Sequence, residues 1–334
     1  MELPVLRLGM AGFTPDQEHA LETVARASRN SVWIAGPLAG ADAWAINGAR
    51  TQKLEQGRLR IAAGRTAERS LQLELSDVRC PVAFSVPLPA SMEAMCTFDV
   101  AQPDTIGEVL RVFELWLARM QAQFWLAAHI VEHQEVLGSG AFELHARGQL
   151  IAVVDMRGEV AVLPSVRPAN FEVAVWTRIQ RERFAVPDQF CRTTLADLMW
   201  RYVSRSRRAL LPERYRRGLI YFRRPPRVDR SLVNEDHLLA MRELAIHPCR
   251  YDELLRDLGL TDEDLGRTLA ALYYVGSITG NPQRAGATTV RGELSSRRGA
   301  GGLNSNYGIP RTANLPLEVL DLRHLTAPAP LMPA

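Results

Sequence analysis

Short apolar runs alternate with helix-like spacing along the first 120 residues. The runs are almost continuously apolar, which predicts strands buried on both faces of a parallel sheet, and they lie at residues 5–10, 32–35, 42–48 and 81–85. Thr14 and Pro15 favour a helix start, because a hydroxyl caps a helix and proline suits its first turn. Residues 97–117 predict a short strand, a Gln-Pro turn and an amphipathic helix capped by Asp104 or Thr105.

The apolar spacing of this last helix continues beyond residue 117. We therefore expect a helix over 104–135 whose later part, 121–137, either connects two domains or pairs with a second copy of the chain. Glycines then end the helix, and three strand-like segments separated by glycine turns predict an antiparallel meander over residues 142–145, 150–155 and 160–163. Thr193 or Thr194 caps a later helix. These patterns predict a small middle domain of mixed β/α structure over 138–233.

The N-terminal pattern resembles the receiver domain of bacterial response regulators. In that family an acidic pair after the first strand holds Mg²⁺, the third strand ends in the phospho-accepting Asp, and a Lys-Pro pair precedes the last helix. The matching positions here are Ala11 and Gly12, Asn47, and Gln102. Ser85 keeps the small hydroxyl residue at the end of the fourth strand.

The resemblance implies a receiver-like, doubly wound parallel sheet over residues 1–120 that lacks the phosphorylation residues. Phosphotransfer to a carboxylate needs an ionised Asp, a divalent cation and a second cation that steadies the product. None of the three is present at these positions. The alternative is a doubly wound α/β domain of another kind, because residues 58–77 are less regular than a receiver helix.

Composition limits the remaining possibilities. The chain has 334 residues, 47% of them hydrophobic, and a formal charge of +3, which suits two or three globular domains. The sequence has neither an apolar window long enough for a membrane span nor a secretory start, so we expect a cytoplasmic protein. The four cysteines are scattered without a CxxC pattern, which favours reduced thiols. No cofactor is expected.

One short pattern in the predicted connecting helix suggests metal chemistry. His129, Glu132 and His133 match the HxxEH pattern of inverted zinc peptidases, in which two histidines one turn apart bind zinc and the glutamate acts as general base. Such a pattern arises easily in a helix that contains Glu and His. We therefore expect a solvated helix face and keep a zinc-dependent hydrolase as an alternative.

Residues 201–230 contain eleven Arg against two acidic residues, with aromatic residues between them. This composition suits phosphate backbones, stacked bases or an anionic nucleotide. The chain has a single Lys, Lys53, so the stretch can equally be a solvated face enriched in Arg by composition. The candidate anion-binding or nucleic-acid-binding residues, including two further along the chain, are Arg205, Arg207, Arg208, Arg214, Arg216, Arg217, Arg223, Arg224, Arg267 and Arg284.

The segment 234–291 resembles the winged helix-turn-helix family. Helices are predicted over 235–246, 251–258 and 262–274, followed by a strand and a wing-like loop over 283–289. The third helix begins with Asp262, Glu263 and Asp264, which phosphates repel. The sequence therefore favours protein docking over major-groove reading for this fold.

The last segment, 292–334, is rich in Gly, Ser, Asn and Pro and is predicted to be mostly disordered. Within it, 315–325 forms an apolar island that is either a residually structured tail or a short docking segment.

Together the patterns predict an α/β plus α+β protein. It consists of a receiver-like parallel sheet, a middle β/α domain and a C-terminal winged helix. The leading functional interpretation is a non-catalytic signalling or regulatory protein whose partners are other signalling proteins, with a homodimer formed through the 104–135 helix as one possibility. The alternative is a DNA-binding transcriptional regulator, and a zinc-dependent hydrolase comes third.

Overall fold

A parallel sheet organises the N-terminal part of the protein in the computed structural model, which describes residues 1–285 except 29, 66–68 and 91. Eight strands belong to this part of the chain: β1 (Val5–Ala11), β2 (Val32–Gly36), β3 (Ala43–Ile46), β4 (Thr51–Lys53), β5 (Arg58–Ile61), β6 (Leu71–Glu74), β7 (Val82–Ser85) and β8 (Thr97–Phe98). Five of them form the parallel sheet in the order β2-β1-β3-β7-β8. This order is the 2-1-3-4-5 order of flavodoxin-like sheets.

Two helices cover one face of the parallel sheet. They are α1 (Pro15–Arg26) and α2 (Pro103–Trp116). Thr14 caps α1 as predicted, because its hydroxyl accepts a hydrogen bond from the backbone N–H of Gln17. Residue Leu6 of β1, Trp33 of β2 and Phe113 of α2 share the buried cluster between these layers.

The other face of the sheet carries strands rather than helices. Here β4, β5 and β6 form a small antiparallel sheet, and Leu59 and Ile61 of β5 pack against Ile46 and Phe84. The predicted doubly wound arrangement, with helices on both faces, is therefore wrong in the described residues. Alternate residues of β5 are buried and exposed, the period of a strand, which explains why a helix does not form here.

The predicted single helix over 104–135 is also wrong, because α2 ends at Trp116 and α3 (Ala118–Glu132) and α4 (Gln134–Leu137) follow. Leu117 lies between α2 and α3 with φ −88° and ψ 5°. Capping of α2 by Asp104 or Thr105 is wrong as well, since Gln102 occupies the cap position and the Thr105 hydroxyl accepts from the Asp99 N–H. Residues 121–130 of α3 are all buried.

A five-stranded antiparallel sheet lies next along the chain. Its strands are β9 (Ala141–Ala146), β10 (Gln149–Asp155), β11 (Glu159–Val162), β12 (Ala174–Ile179) and β13 (Cys191–Thr194). The helix α5 (Pro168–Glu172) precedes β12, and α6 (Leu195–Arg205) follows β13. The predicted meander is confirmed as β9-β10-β11, whereas the flanking strands β12 and β13 were not predicted. Residues of α3 and α6 share the buried cluster with the sheet.

The C-terminal elements of the described chain are α7 (Glu213–Arg217), β14 (Leu219–Phe222), α8 (Glu235–Ile246), β15 (Cys249–Arg250), α9 (Tyr251–Leu258), α10 (Asp262–Tyr274) and β16 (Ile278–Thr279). The three predicted helices are confirmed as α8, α9 and α10. The small sheet has the order β15-β14-β16, so its middle strand comes from before the helices. The predicted wing, 283–289, begins within a 3-10 turn formed by Pro282–Arg284, and its residues 286–289 lie outside the described residues.

One hydrophobic cluster extends from Ala122 to Ile278. The cluster includes residues on both sides of residue 233, where a domain boundary is predicted. The predicted boundaries at 120, 137, 233 and 291 stay predictions. The predicted tail, 292–334, and its apolar island lie outside the described residues. None of the helices among residues 1–285 is both long enough and apolar enough to cross a bilayer.

Candidate functional site

Four of the five residues that the resemblance assigned to a receiver's polar site meet at the carboxyl edge of the parallel sheet. Ala11 ends β1, Asn47 follows β3 and Ser85 ends β7. The Asn47 side-chain amide donates to Oε1 of the Gln17 side chain at 3.2 Å, and the Gly48 N–H donates to the Ser85 hydroxyl at 3.2 Å. Ligands of open α/β sheets bind at this edge, where the strand order reverses between β1 and β3.

Gly12, the fourth position, has no room for a longer side chain. Its φ of +79° belongs to the left-handed region, and a Cβ placed there would lie 2.9 Å from Cγ2 of Ile61 and 3.2 Å from Cβ of Asn47. Ile61 of the small sheet thus fills the space that a side chain at residue 12 would need. No group of three or more His, Cys, Asp or Glu residues in the described chain is arranged to hold a metal ion.

Gln102, the fifth position, does not join this cluster. It is exposed at the start of α2, and its side-chain amide donates to Oδ2 of Asp99 at 3.1 Å. Asp99 and the exposed Asp16 line a cavity of about 490 Å³ together with Asn47 and Ser85. Sequence reasoning missed both carboxylates, although Asp99 follows β8 directly and a strand's carboxyl end was the signal that could have found it.

Buried Asn47 places a neutral amide at the edge, at the position that the resemblance assigned to the phosphoryl acceptor. Asn47 is 4% exposed, and its backbone carbonyl oxygen accepts from the Thr51 hydroxyl at 2.8 Å. An amide nitrogen that already donates to Gln17 has neither the charge nor the free electron pair of a nucleophilic carboxylate. The arrangement holds loops together and offers no nucleophile at residue 47.

The HxxEH residues lie apart from that edge, on α3. His129 is 6% exposed and stacks on Trp176, with ring centroids 5.4 Å apart at 18°, so the predicted solvated helix face is wrong for this residue. Burial, with a smaller contribution from His133, lowers the pKa of His129 to about 4. Glu132 pairs with Arg208 at 3.6 Å. His129 therefore belongs to the core, and Glu132 forms a salt bridge.

Half of the ten candidate arginines are used in ion pairs. Arg205 makes a bidentate pair with Asp42, in which both hydrogen bonds measure 2.7 Å. Arg216 pairs with Asp262 at 3.0 Å and lies 4.7 Å above the Tyr251 ring. The remaining pairs join Arg208 to Glu132, Arg217 to Glu213, and Arg267 to Glu263 and Asp264. The Arg205 pair is the one best shielded from water, and the facing carboxylates weaken the expected anion role of all five arginines.

The other five candidates are arranged differently. Arg214 lies over the rings of Tyr215 and Tyr273, at 5.4 and 5.6 Å from their centroids. Arg207 and Arg284 are exposed, and Arg223 and Arg224 are half-buried. The ten arginines therefore differ in both exposure and pairing within the described chain.

Comparison of the chain with models of protein families, with curated proteins and with solved structures found no match.

Proposed function

We propose that the protein is a non-catalytic regulatory protein in which a phosphorylation-incompetent, receiver-like N-terminal unit and a winged-helix-like C-terminal unit serve protein contacts. The observation that carries this proposal is the buried Asn47 at the switch point of a sheet with the 2-1-3-4-5 strand order. Because Ala11 and Gly12 carry no charge and Ile61 fills the adjacent space, the edge is adapted to packing. A regulatory unit of this kind acts through binding alone.

An exposed apolar strip on α2 is the surface that we assign to partner contact. Leu115 and Trp116 are 63% and 68% exposed, and Val112 is 40% exposed on the same helix. Large apolar side chains grouped in this way are typical of interaction sites. Because residues 121–130 of α3 are buried in the core, a homodimer through the predicted 104–135 helix could use only the surface of α2.

The acidic start of α10 supports protein contact over duplex reading. Asp262 is paired with Arg216, and Glu263 and Asp264 are paired with Arg267, so the two candidate arginines beside this helix start each face a carboxylate. A DNA-binding regulator remains the second candidate, since Arg207 and Arg284 are exposed and have no salt bridge within the described chain.

Capture of partners from the protein's own cell extract tests the proposal. The wild-type chain is compared with Trp116→Glu, and Arg111→Glu, exposed on the same helix, serves as the matched control. We expect Trp116→Glu to lose the captured signalling partner or the self-association seen by light scattering, while Arg111→Glu keeps it. Equal capture by all three chains would contradict the use of α2.

A further inference from the structure

A second cavity, of about 680 Å³, lies between the antiparallel sheet and the C-terminal helices. Its walls come from β11, from the first turn of α6, from the segment 224–227 and from the end of α10. This volume is in the range of sites that take small molecules. It is distant in the chain from the edge of the parallel sheet and shares no lining residue with that edge.

Positive side chains outnumber negative ones around this cavity. Arg157, Arg192, Arg224 and Arg227 line it, against the carboxylates of Glu159 and Asp197. Oδ1 of Asp197 accepts the backbone N–H of Asp229 at 2.8 Å, and the Arg192 guanidinium lies 3.9 Å from Asp188 outside the cavity. The charge balance of the lining, four cations and two anions, favours a negatively charged ligand.

Arg224 is the most informative of these cations. Arg224 is half-buried and makes no salt bridge with another of the described residues. Burial, and the neighbouring charges of Arg223 and Arg227, lower the pKa of Arg224. A partly buried charge beside like charges is unfavourable unless an anion approaches it. A bound anion would relieve the electrostatic repulsion among these arginines.

The rest of the lining is apolar or neutral. Met156, Met199, Tyr274 and Val275 supply a surface for a hydrocarbon or aromatic body. Thr194 caps α6 at the cavity wall, so the positive end of an eleven-residue helix adds to the arginine charge. The charged and the apolar lining together define the chemistry of the ligand.

We propose that this cavity binds a small organic anion with an apolar body, and that Arg224 contacts its charged group. Such a ligand would touch both the antiparallel sheet and α10, and would give the regulatory protein a small-molecule input. The cavity is separate from the α2 surface. A failure to bind the anion and a failure of α2 to bind a partner are therefore distinguishable results.

The test uses the full chain and the fluorescent probe 1-anilinonaphthalene-8-sulfonate, an aromatic sulfonate. We expect saturable binding of one probe per chain. Arg224→Gln should weaken it about tenfold or more, the size of a lost charge-assisted hydrogen bond, while Arg224→Lys retains the charge and most of the affinity. Arg217→Gln, in an exposed pair outside the cavity, is the matched control and should bind as the wild type does.

Two further readouts separate a binding role from a structural one. Because Arg224 lies among like charges, Arg224→Gln should leave the melting temperature unchanged or raise it, and a fall of several degrees would mark a structural residue instead. The uncharged analogue N-phenyl-1-naphthylamine should bind more weakly than the sulfonate, and its affinity should be the same for the wild type and for Arg224→Gln. Absence of saturable sulfonate binding, or equal binding by wild type and Arg224→Gln, would overturn the proposal.

Discussion

Arg205, at the end of α6, binds both carboxylate oxygens of Asp42, which precedes β3, through two hydrogen bonds of 2.7 Å. The same guanidinium donates to the carbonyl of Val5 at 3.2 Å. Close by, Glu2 accepts hydrogen bonds of 2.8 Å from the Ser206 hydroxyl and the Arg207 N–H. The first residues of the chain and the predicted Arg-rich stretch are thus parts of one polar junction between the two sheets.

Replacing Arg205 with Ala should destabilise the protein. The pair is largely shielded from water, with side chains 22% and 11% exposed, so Asp42 would be left without its partner. We expect a loss of about 2 kcal/mol in the free energy of unfolding, measured by urea denaturation. Arg207→Ala, in which only the backbone N–H is used, should cost under about 0.5 kcal/mol. Equal stability of the two variants would contradict a structural role for Arg205.

The second prediction concerns phosphorylation at residue 47. Incubated with Mg²⁺ and acetyl phosphate, the wild type should gain no phosphoryl mass in residues 42–50, because an amide is not a nucleophile for this transfer. Asn47→Asp should also stay unmodified, since Ala11 and Gly12 provide no carboxylate for the metal. Intact-mass and peptide mass spectrometry decide both points. A mass gain in the wild type would end the pseudo-receiver interpretation.

Acid should destabilise the protein partly through His129. Its pKa in the folded protein is about 4, below the ordinary value of 6.5, so the unfolded chain binds the proton first. Stability therefore falls as the pH drops from 6.5 towards 4, by up to about 3 kcal/mol for this residue.

His129→Phe keeps a ring beside Trp176 and should reduce that pH dependence without lowering stability at pH 7. His237 is also buried with a pKa of about 4, so part of the dependence should remain. Melting temperatures from pH 7 to pH 4 measure the change, and His19→Gln, at an exposed position, is the control. An unchanged slope in His129→Phe would refute the assignment.

The acidic start of α10 gives the last prediction. Replacing Asp262, Glu263 and Asp264 with Asn, Gln and Asn should lower stability, because each carboxylate favours the helix dipole by roughly 0.3–1 kcal/mol. Asp262 should matter most, since the hydrogen bond from Arg216 and then that from Tyr251 lower its pKa.

The same replacement frees Arg216 and Arg267 and should raise non-specific DNA affinity, with the gain fading as salt rises. Gel retardation of a duplex at several salt concentrations is the measurement. If the wild type bound one duplex sequence tightly and the replacement weakened it, the carboxylates would be reading bases, and the DNA-binding interpretation would replace ours.

Local signals explain the parts of the fold that the sequence predicted well. The bounds of α9 and α10 follow from Gly259 in the left-handed conformation, at φ 64°, and from the Thr261 hydroxyl that caps α10. Thr14 defines α1 in the same way. Such signals lie within a few residues of the element that they begin or end, so one sequence suffices to read them.

The failures arose where distant contacts decide the outcome. Apolar spacing across Leu117 suggested one helix, but α3 turns into the core of the antiparallel sheet. The Arg205 pair joins residues 163 positions apart, and composition alone makes that arginine look free for anions. Asn47 was placed correctly because a strand end is a local feature, whereas Ile61, which fills the space beside it, comes from a hairpin that no short pattern identified.

The position of β14 has a practical consequence for dissecting the chain. The strand lies between β15 and β16 yet precedes α8, so a fragment beginning at residue 234 would carry two outer strands with an open gap between their backbones. Unpaired strand edges invite pairing with other chains. A C-terminal piece meant to remain monomeric must therefore start before Leu219, and it then takes the second half of the Arg-rich stretch with it.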